Sequence, residues 1–84
     1  MTEDDYQLEL LNQAWSLGMY RIHFLPNPKY ANDGVTCYIG FDDMYGDRFV
    51  IREKEGDNYR DRDDRILASY STAEELVRDG WILD

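Results

Sequence analysis

Positive charge is scarce in this sequence of 84 residues. Eighteen Asp and Glu outnumber nine Lys and Arg, which leaves a formal net charge of −9. A surface of that sign is repelled by the phosphates of nucleic acids and by anionic membranes, so we expect the protein to bind neither of them directly. The expected partner is instead a protein with a basic surface.

Cysteine and long apolar segments are also scarce. Cys37 is the only cysteine, so no intramolecular disulfide can form, and this favours the cytoplasm as the compartment. No apolar run approaches the roughly 20 residues of a transmembrane helix, and residues 1–5 are acidic where a secretory signal would be basic. Because 43% of the residues are hydrophobic, we still expect a folded core, in one domain spanning residues 1–84.

The negative charge falls into three separate segments. Residues 1–20 carry −4, residues 30–47 carry −4 and residues 66–84 carry −3. Residues 21–29 carry +2, and residues 48–65 are neutral because six acids balance six bases. The excess is therefore distributed along the chain rather than confined to an acidic tail.

The spacing of apolar residues predicts a helix over about residues 3–17. Thr2 suits the N-cap, Asp5 completes a capping box with it, and Gly18 suits the position that follows the helix. Six apolar residues recur at helical spacing and form one broad face: Leu8, Leu10, Leu11, Ala14, Trp15 and Leu17.

After this helix the apolar residues alternate, which predicts antiparallel strands. In the first strand Tyr20, Ile22 and Phe24 are expected to point into the core. Three further strands are predicted at residues 35–41, 48–54 and 66–70.

The remaining segments complete an α+β fold. Ser71 and Glu74 fit a capping box that opens a short second helix ending at Gly80. Residues 81–83 are apolar and are expected to pack on the sheet or to add an edge strand. The predicted architecture is an N-terminal helix, an antiparallel meander of three to four strands, a short second helix and a C-terminal apolar segment, with the helices on one face of the sheet.

The opposite face of the sheet is predicted to be open. It would expose Arg21, His23, Thr36 and Tyr38 to solvent or to a partner. Residues 55–64 contain one aromatic and no aliphatic side chain, so they are predicted to form a solvated loop.

Few residues offer catalytic chemistry. His23 is the only histidine, and the sequence identifies no partner that would orient it as a general base. Cys37 is predicted to lie on the apolar side of its strand as a buried, inert thiol, with no cation beside it to stabilise a thiolate. No phosphate-binding glycine loop and no serine nucleophile motif occurs. We therefore expect a protein that is not an enzyme and that uses no cofactor.

The acidic segments do not match a calcium-binding loop. An EF-hand loop needs a glycine at its sixth position and a glutamate at its twelfth. A loop starting at Asp61 has Ile66 and Thr72 at these positions, and a loop starting at Asp42 lacks the glycine. No metal site is expected.

Two functions fit this acidic sequence. In the first, the protein is an inhibitor that mimics nucleic acid and occupies a basic groove on a nuclease, a polymerase or a defence complex. In the second, it is a small accessory or regulatory domain, homodimeric in one version, that binds protein through its open sheet face or a sheet edge and is acidic for solubility. Mimicry requires the acidic segments, including a predicted hairpin loop at residues 42–47, to share one face. The predicted partner-binding residues are Glu3, Asp4, Asp5, Glu9, Asp42, Asp43, Tyr45, Asp47, Glu74, Glu75 and Asp79.

Overall fold

Two helices and four strands make up the described part of the chain. The structure, a computed structural model, describes residues 1–32, 34–40, 49–54, 56, 58–60 and 62–84. The elements in chain order are α1 (Glu3–Ser16), β1 (Arg21–Phe24), β2 (Thr36–Gly40), β3 (Phe49–Lys54), β4 (Arg65–Tyr70) and α2 (Ala73–Arg78). Every strand pairs antiparallel with the next along the chain, so the sheet order is β1-β2-β3-β4. The predicted α+β architecture is confirmed.

A complete capping box starts α1. The Thr2 hydroxyl accepts a hydrogen bond from the Asp5 backbone N–H at 3.1 Å, and the Asp5 carboxylate accepts one from the Thr2 backbone N–H at 3.3 Å. The helix ends before Gly18, whose φ of 68° is a left-handed conformation that glycine adopts without strain. The predicted helix is therefore confirmed, including both of its ends.

The core lies between the helices and one face of the sheet. The cross-strand pairs Ile22–Ile39 and Phe24–Cys37 place their side chains on that face. Leu11 of α1 and other helix residues cover them, and the whole cluster is buried. Its members are Leu11, Ala14, Ile22, Phe24, Cys37, Ile39, Ile51, Leu76, Val77 and Trp81.

Tyr20 is not part of this core, so that prediction is wrong. Its side chain is 64% exposed, because β1 begins only at Arg21 and Tyr20 precedes the paired part of the strand. The guanidinium carbon of Arg21 lies 5.1 Å from the centre of the Tyr20 ring. This contact is on the surface and takes the place of the predicted packing in the core.

The second helix begins one residue later than predicted. Thr72, and not Ser71, is the N-cap, and its hydroxyl accepts a hydrogen bond from the Glu75 backbone N–H at 3.2 Å. The Glu75 carboxylate accepts a hydrogen bond from the Ser71 backbone N–H at 3.1 Å. Because Ser71 and Thr72 each have a glutamate three residues later, the sequence pattern fits both registers.

The C-terminal segment closes the sheet along β1. Trp81 is fully buried, and Leu83 forms an isolated antiparallel bridge with Phe24. The bridge is flanked by two backbone hydrogen bonds, from Leu25 N–H to the Ile82 carbonyl at 2.8 Å and from Asp84 N–H to the His23 carbonyl at 3.0 Å. The segment therefore both packs in the core and adds to the sheet edge, as predicted.

The opposite sheet face is partly covered, contrary to prediction. Tyr38 is fully buried there, because the Tyr59 ring packs edge-on against it at 5.0 Å and its hydroxyl donates a hydrogen bond to the Asp64 carboxylate. The Arg52 guanidinium, also buried, donates to the backbone carbonyl of Asp64 at 2.9 Å. The described part of the predicted solvated loop thus folds across the sheet.

Candidate protein-binding surface

The two helices place acidic side chains side by side. Packing of α2 against α1 forms a small cleft whose lining includes Asp4 and Asp5 from one helix and Glu74 from the other. Leu8 and Val77 form its apolar part, and Arg78 also lines it. We call the six exposed acids of these two helices the acidic helix surface: Glu3, Asp4, Asp5, Glu9, Glu74 and Glu75.

Most of these acids also stabilise the helices that carry them. Glu3, Asp4 and Asp5 lie in the first turn of α1, and Glu74 lies in the first turn of α2, where carboxylates interact favourably with the helix dipole. Glu9 lies beyond the first turn and one turn after Asp5, which makes a like-charge pair that slightly destabilises the helix. Helix stability alone therefore accounts for the first-turn acids but not for Glu9.

Three acids of the surface are already engaged within the protein. Asp5 belongs to the capping box of α1, and Glu75 accepts the Ser71 N–H. Glu3 accepts a hydrogen bond at 3.1 Å from the buried side chain of Gln7, whose oxygen in turn accepts from the Leu83 N–H at 2.9 Å.

The other three acids are free to contact a partner. Within the described residues, no hydrogen bond or ion pair engages the side chains of Asp4, Glu9 and Glu74. Asp4 and Glu74 line the same cleft, although they come from opposite ends of the chain. These two carboxylates form the centre of the acidic helix surface.

Asp79, another predicted partner-binding residue, is the centre of an internal hydrogen-bond network. Its carboxylate accepts hydrogen bonds from the hydroxyl of Tyr30 and, at 2.5 Å, from that of Tyr70, and it forms a 3.0 Å ion pair with Lys29. The Tyr70 hydroxyl also accepts from the indole N–H of Trp81 at 2.8 Å. The acidic helix surface does not include Asp79.

These contacts make the stability that Asp79 contributes depend on pH. Hydrogen bonds from Tyr30 and Tyr70, together with the ammonium of Lys29, lower its pKa from 3.8 to about 2. A lowered pKa in the folded state adds stability above the unfolded-state pKa, and that stability is lost as the pH falls towards the folded-state value.

Asp79→Asn is therefore expected to destabilise the protein by about 1 kcal/mol at neutral pH and to reduce the loss of stability between about pH 4 and about pH 2. Urea unfolding at a series of pH values measures both effects. Asp63→Asn is the matched control, because the Asp63 side chain is exposed and has no partner among the described residues. If the stability of the two variants depended on pH in the same way, the role of Asp79 as the acid-sensitive acceptor of this network would be contradicted.

The hairpin acids cannot be added to this surface. Asp42, Asp43, Tyr45 and Asp47 lie outside the described residues, so their role in binding stays a prediction.

Basic and aromatic side chains collect on the other side of the sheet. The guanidinium carbon of Arg21 and the ammonium of Lys54 lie 4.1 Å and 4.6 Å from the centre of the Tyr59 ring. His23 Nε2 lies 2.5 Å from the Tyr59 hydroxyl. Tyr59 is the one aromatic residue of the charged segment 55–64. Its isolation there is the sequence feature that could have indicated this contact.

His23 and Cys37 do not form a dyad. In the β1–β2 register His23 pairs with Tyr38 and Phe24 pairs with Cys37, so the two side chains lie on opposite faces of the sheet. Cys37 is fully buried, and burial, followed by the nearby Glu53 carboxylate, raises the pKa of its thiol. The prediction that this thiol is buried is confirmed.

Neither a metal site nor a membrane-spanning helix occurs in the described part of the chain. Among residues 1–32, 34–40, 49–54, 56, 58–60 and 62–84, no group of three or more His, Cys, Asp or Glu side chains could hold a metal ion. No helix within those ranges is both long enough and apolar enough to cross a membrane. Comparison of the chain with protein-family models, with curated proteins and with solved structures found nothing that matches.

Proposed function

We propose that this protein is a non-enzymatic inhibitor that mimics nucleic acid and binds a basic groove on a nuclease, a polymerase or a defence complex through its acidic helix surface. The observation that supports this most is the cleft shared by Asp4 and Glu74. Neither carboxylate has a partner within the described part of the chain, so neither must break an internal contact to reach a basic side chain.

The placement of charge among the described residues supports the same function. The acidic helix surface contains six carboxylates, and Arg78 is the base that lines its cleft. Arg21 and Lys54 lie instead on the opposite side of the sheet, around Tyr59. Among the described residues, the acids of the two helices and these two bases thus lie on opposite sides of the sheet, and an exposed acidic surface attracts and orients a basic partner during approach.

The inhibitor is tested with a panel of purified basic enzymes that act on nucleic acid, drawn from nucleases and polymerases. We expect the protein to inhibit at least one of them, and we expect duplex DNA to compete with it for binding. The affinity should fall steeply as salt rises, because the contacts are between exposed charges. Binding that is indifferent to ionic strength, or that duplex DNA does not displace, would contradict mimicry.

The accessory-domain function predicts a different outcome of this experiment. If acidity serves only solubility, a bound partner is recognised elsewhere on the protein, and neutralising Asp4 and Glu74 leaves the affinity unchanged.

A further inference from the structure

The two edges of the sheet differ. Along β1, the bridge to Leu83 and its two flanking backbone hydrogen bonds cover the edge. Along β4, no strand in the described ranges pairs with the outer side. An uncovered edge presents backbone N–H and C=O groups that can pair with another strand.

The sequence of β4 does not protect this edge. Natural edge strands are commonly blocked by lysine, by proline or by charges directed inward. In β4 the one charged residue is Arg65 at the start, and five uncharged residues follow it, Ile66 to Tyr70. The side chain of Ile66 is 53% exposed, which is high for a large aliphatic residue in a strand.

The side chains of β4 also follow a palindromic pattern. An irregularity in the pairing with β3, next to Ile51 and Arg52, shifts the register within the strand. Ile66 pairs with Arg52 and Ser69 pairs with Val50, so both lie on the face opposite the helices. The other four residues, Arg65, Leu67, Ala68 and Tyr70, lie on the side of the helices, as their pairing partners or their packing against the core show.

This pattern selects one way for all six residues of β4 to pair with the β4 of a second copy. In an antiparallel pair, residues directly opposite each other share a face of the sheet. In this register Ile66 lies opposite Ser69 of the second copy, Arg65 lies opposite Tyr70, and Leu67 lies opposite Ala68. Every pair then shares a face of the sheet. A shift of one residue would place Ile66 opposite Tyr70 or Ala68 of the other copy, on the wrong face.

We propose that the outer edge of β4 is the interface of a homodimer, in which two copies pair antiparallel about a two-fold axis and join their sheets. Charge favours the same arrangement. A parallel pair would set the two Arg65 guanidinium groups side by side, whereas the antiparallel pair moves them to opposite ends of the joint. This surface is separate from the acidic helix surface, so the proposal does not rest on the proposed function.

The net charge of the protein predicts how salt affects this dimer. Each copy carries −9, so the two copies repel each other at low ionic strength and less so when salt screens them. The dimer should therefore become tighter as salt rises, which is the opposite of the salt dependence expected for the inhibitor. The failure of one proposal can thus be recognised independently of the other.

Two double variants test the proposed register. Ile66→Lys with Ser69→Lys places like charges directly opposite each other twice across the joint, and Ile66→Lys with Ser69→Glu places opposite charges there. Sedimentation equilibrium from micromolar to millimolar protein is expected to show a wild-type dimer. The dissociation constant of the lysine–lysine variant should exceed that of the lysine–glutamate variant by about tenfold or more.

Comparing these variants distinguishes contacts across the β4 interface from the repulsion between two negatively charged proteins. The lysine–lysine variant has less net negative charge than the wild type, so overall repulsion alone would make it associate more tightly. A wild-type protein that is monomeric at every concentration and salt, or two variants with equal dissociation constants, would overturn the proposal. If either variant does not fold, hydrogen exchange of the wild-type protein decides the question, since the β4 amides must become more protected as the protein concentration rises.

Discussion

Trp81→Ala is expected to reduce the free energy of unfolding by about 3–5 kcal/mol, which is a large part of the stability of a domain of this size. Trp81 is fully buried, in stacked contact with the Tyr30 ring at 5.5 Å and in edge contact with the Phe24 ring at 5.9 Å. Its indole N–H is hydrogen-bonded to Tyr70. The substitution therefore leaves a large cavity and also disconnects the C-terminal segment from the Asp79 network.

Urea unfolding followed by circular dichroism measures this loss. Trp15→Ala is the matched control, because it makes the same chemical change at a half-buried tryptophan whose ring contacts Phe49 at 4.7 Å. We expect the control to cost clearly less than Trp81→Ala. A smaller loss at Trp81 than at Trp15 would contradict the view that the C-terminal segment completes the core.

Asp64→Ala is expected to cost about 2–3 kcal/mol and to release residues 58–60 and 62–64 from the sheet. The Asp64 carboxylate is buried, and it accepts hydrogen bonds from the Tyr38 hydroxyl and, at 3.1 Å, from the Arg60 backbone N–H. Hydrogen bonds to a buried charge contribute more than neutral ones, so the loss of this acceptor weakens both ends of the contact.

The neighbouring acid gives the control for that experiment. Asp63→Ala removes an exposed carboxylate, and we expect it to change stability by less than about 0.5 kcal/mol. Proteolysis adds a local readout, because release of residues 58–60 and 62–64 should make them the first sites of cleavage in Asp64→Ala. Equal stability and equal cleavage of the two variants would contradict the role of Asp64 in holding the segment.

The parts of the fold that sequence predicts well are those fixed by local pattern. The capping box at Thr2, the apolar period of α1 and the alternation in β1 each depend on residues close together in the chain. The error of one residue at Ser71 has an equally local cause, because Thr72 offers the same capping chemistry one position later.

The burial of Tyr38 on the sheet face opposite the helices depends on contacts between residues distant in sequence. In the alternation of its strand, Tyr38 lies on the face opposite the core. Only contacts from Tyr59 and Asp64, which pack across that face, bury it. A run of charges without aliphatic residues is typical of a solvated loop, so the pattern gave no sign that Asp64 would accept a buried tyrosine hydroxyl.

The acidic helix surface likewise combines features that local sequence predicts with features that it does not predict. That Asp4 and Glu74 are exposed follows from their positions in the first turns of helices, and it is predictable from capping signals alone. That the two carboxylates share a cleft follows from the packing of α2 on α1, which the sequence does not specify. Asp79 illustrates the reverse case, because a surface acid in the sequence becomes the acceptor for two tyrosines.

The affinity of two charge-matched variants for an inhibited basic enzyme tests the central claim most directly. Asp4→Asn with Glu74→Gln neutralises the cleft, and Asp63→Asn with Asp84→Asn removes the same charge from exposed positions outside it. If the partner binds the acidic helix surface, the first variant should bind about tenfold more weakly than the wild type, and the second should bind nearly as well as the wild type. Equal weakening of both variants would contradict it, since affinity would then follow net charge and not the cleft formed by α1 and α2.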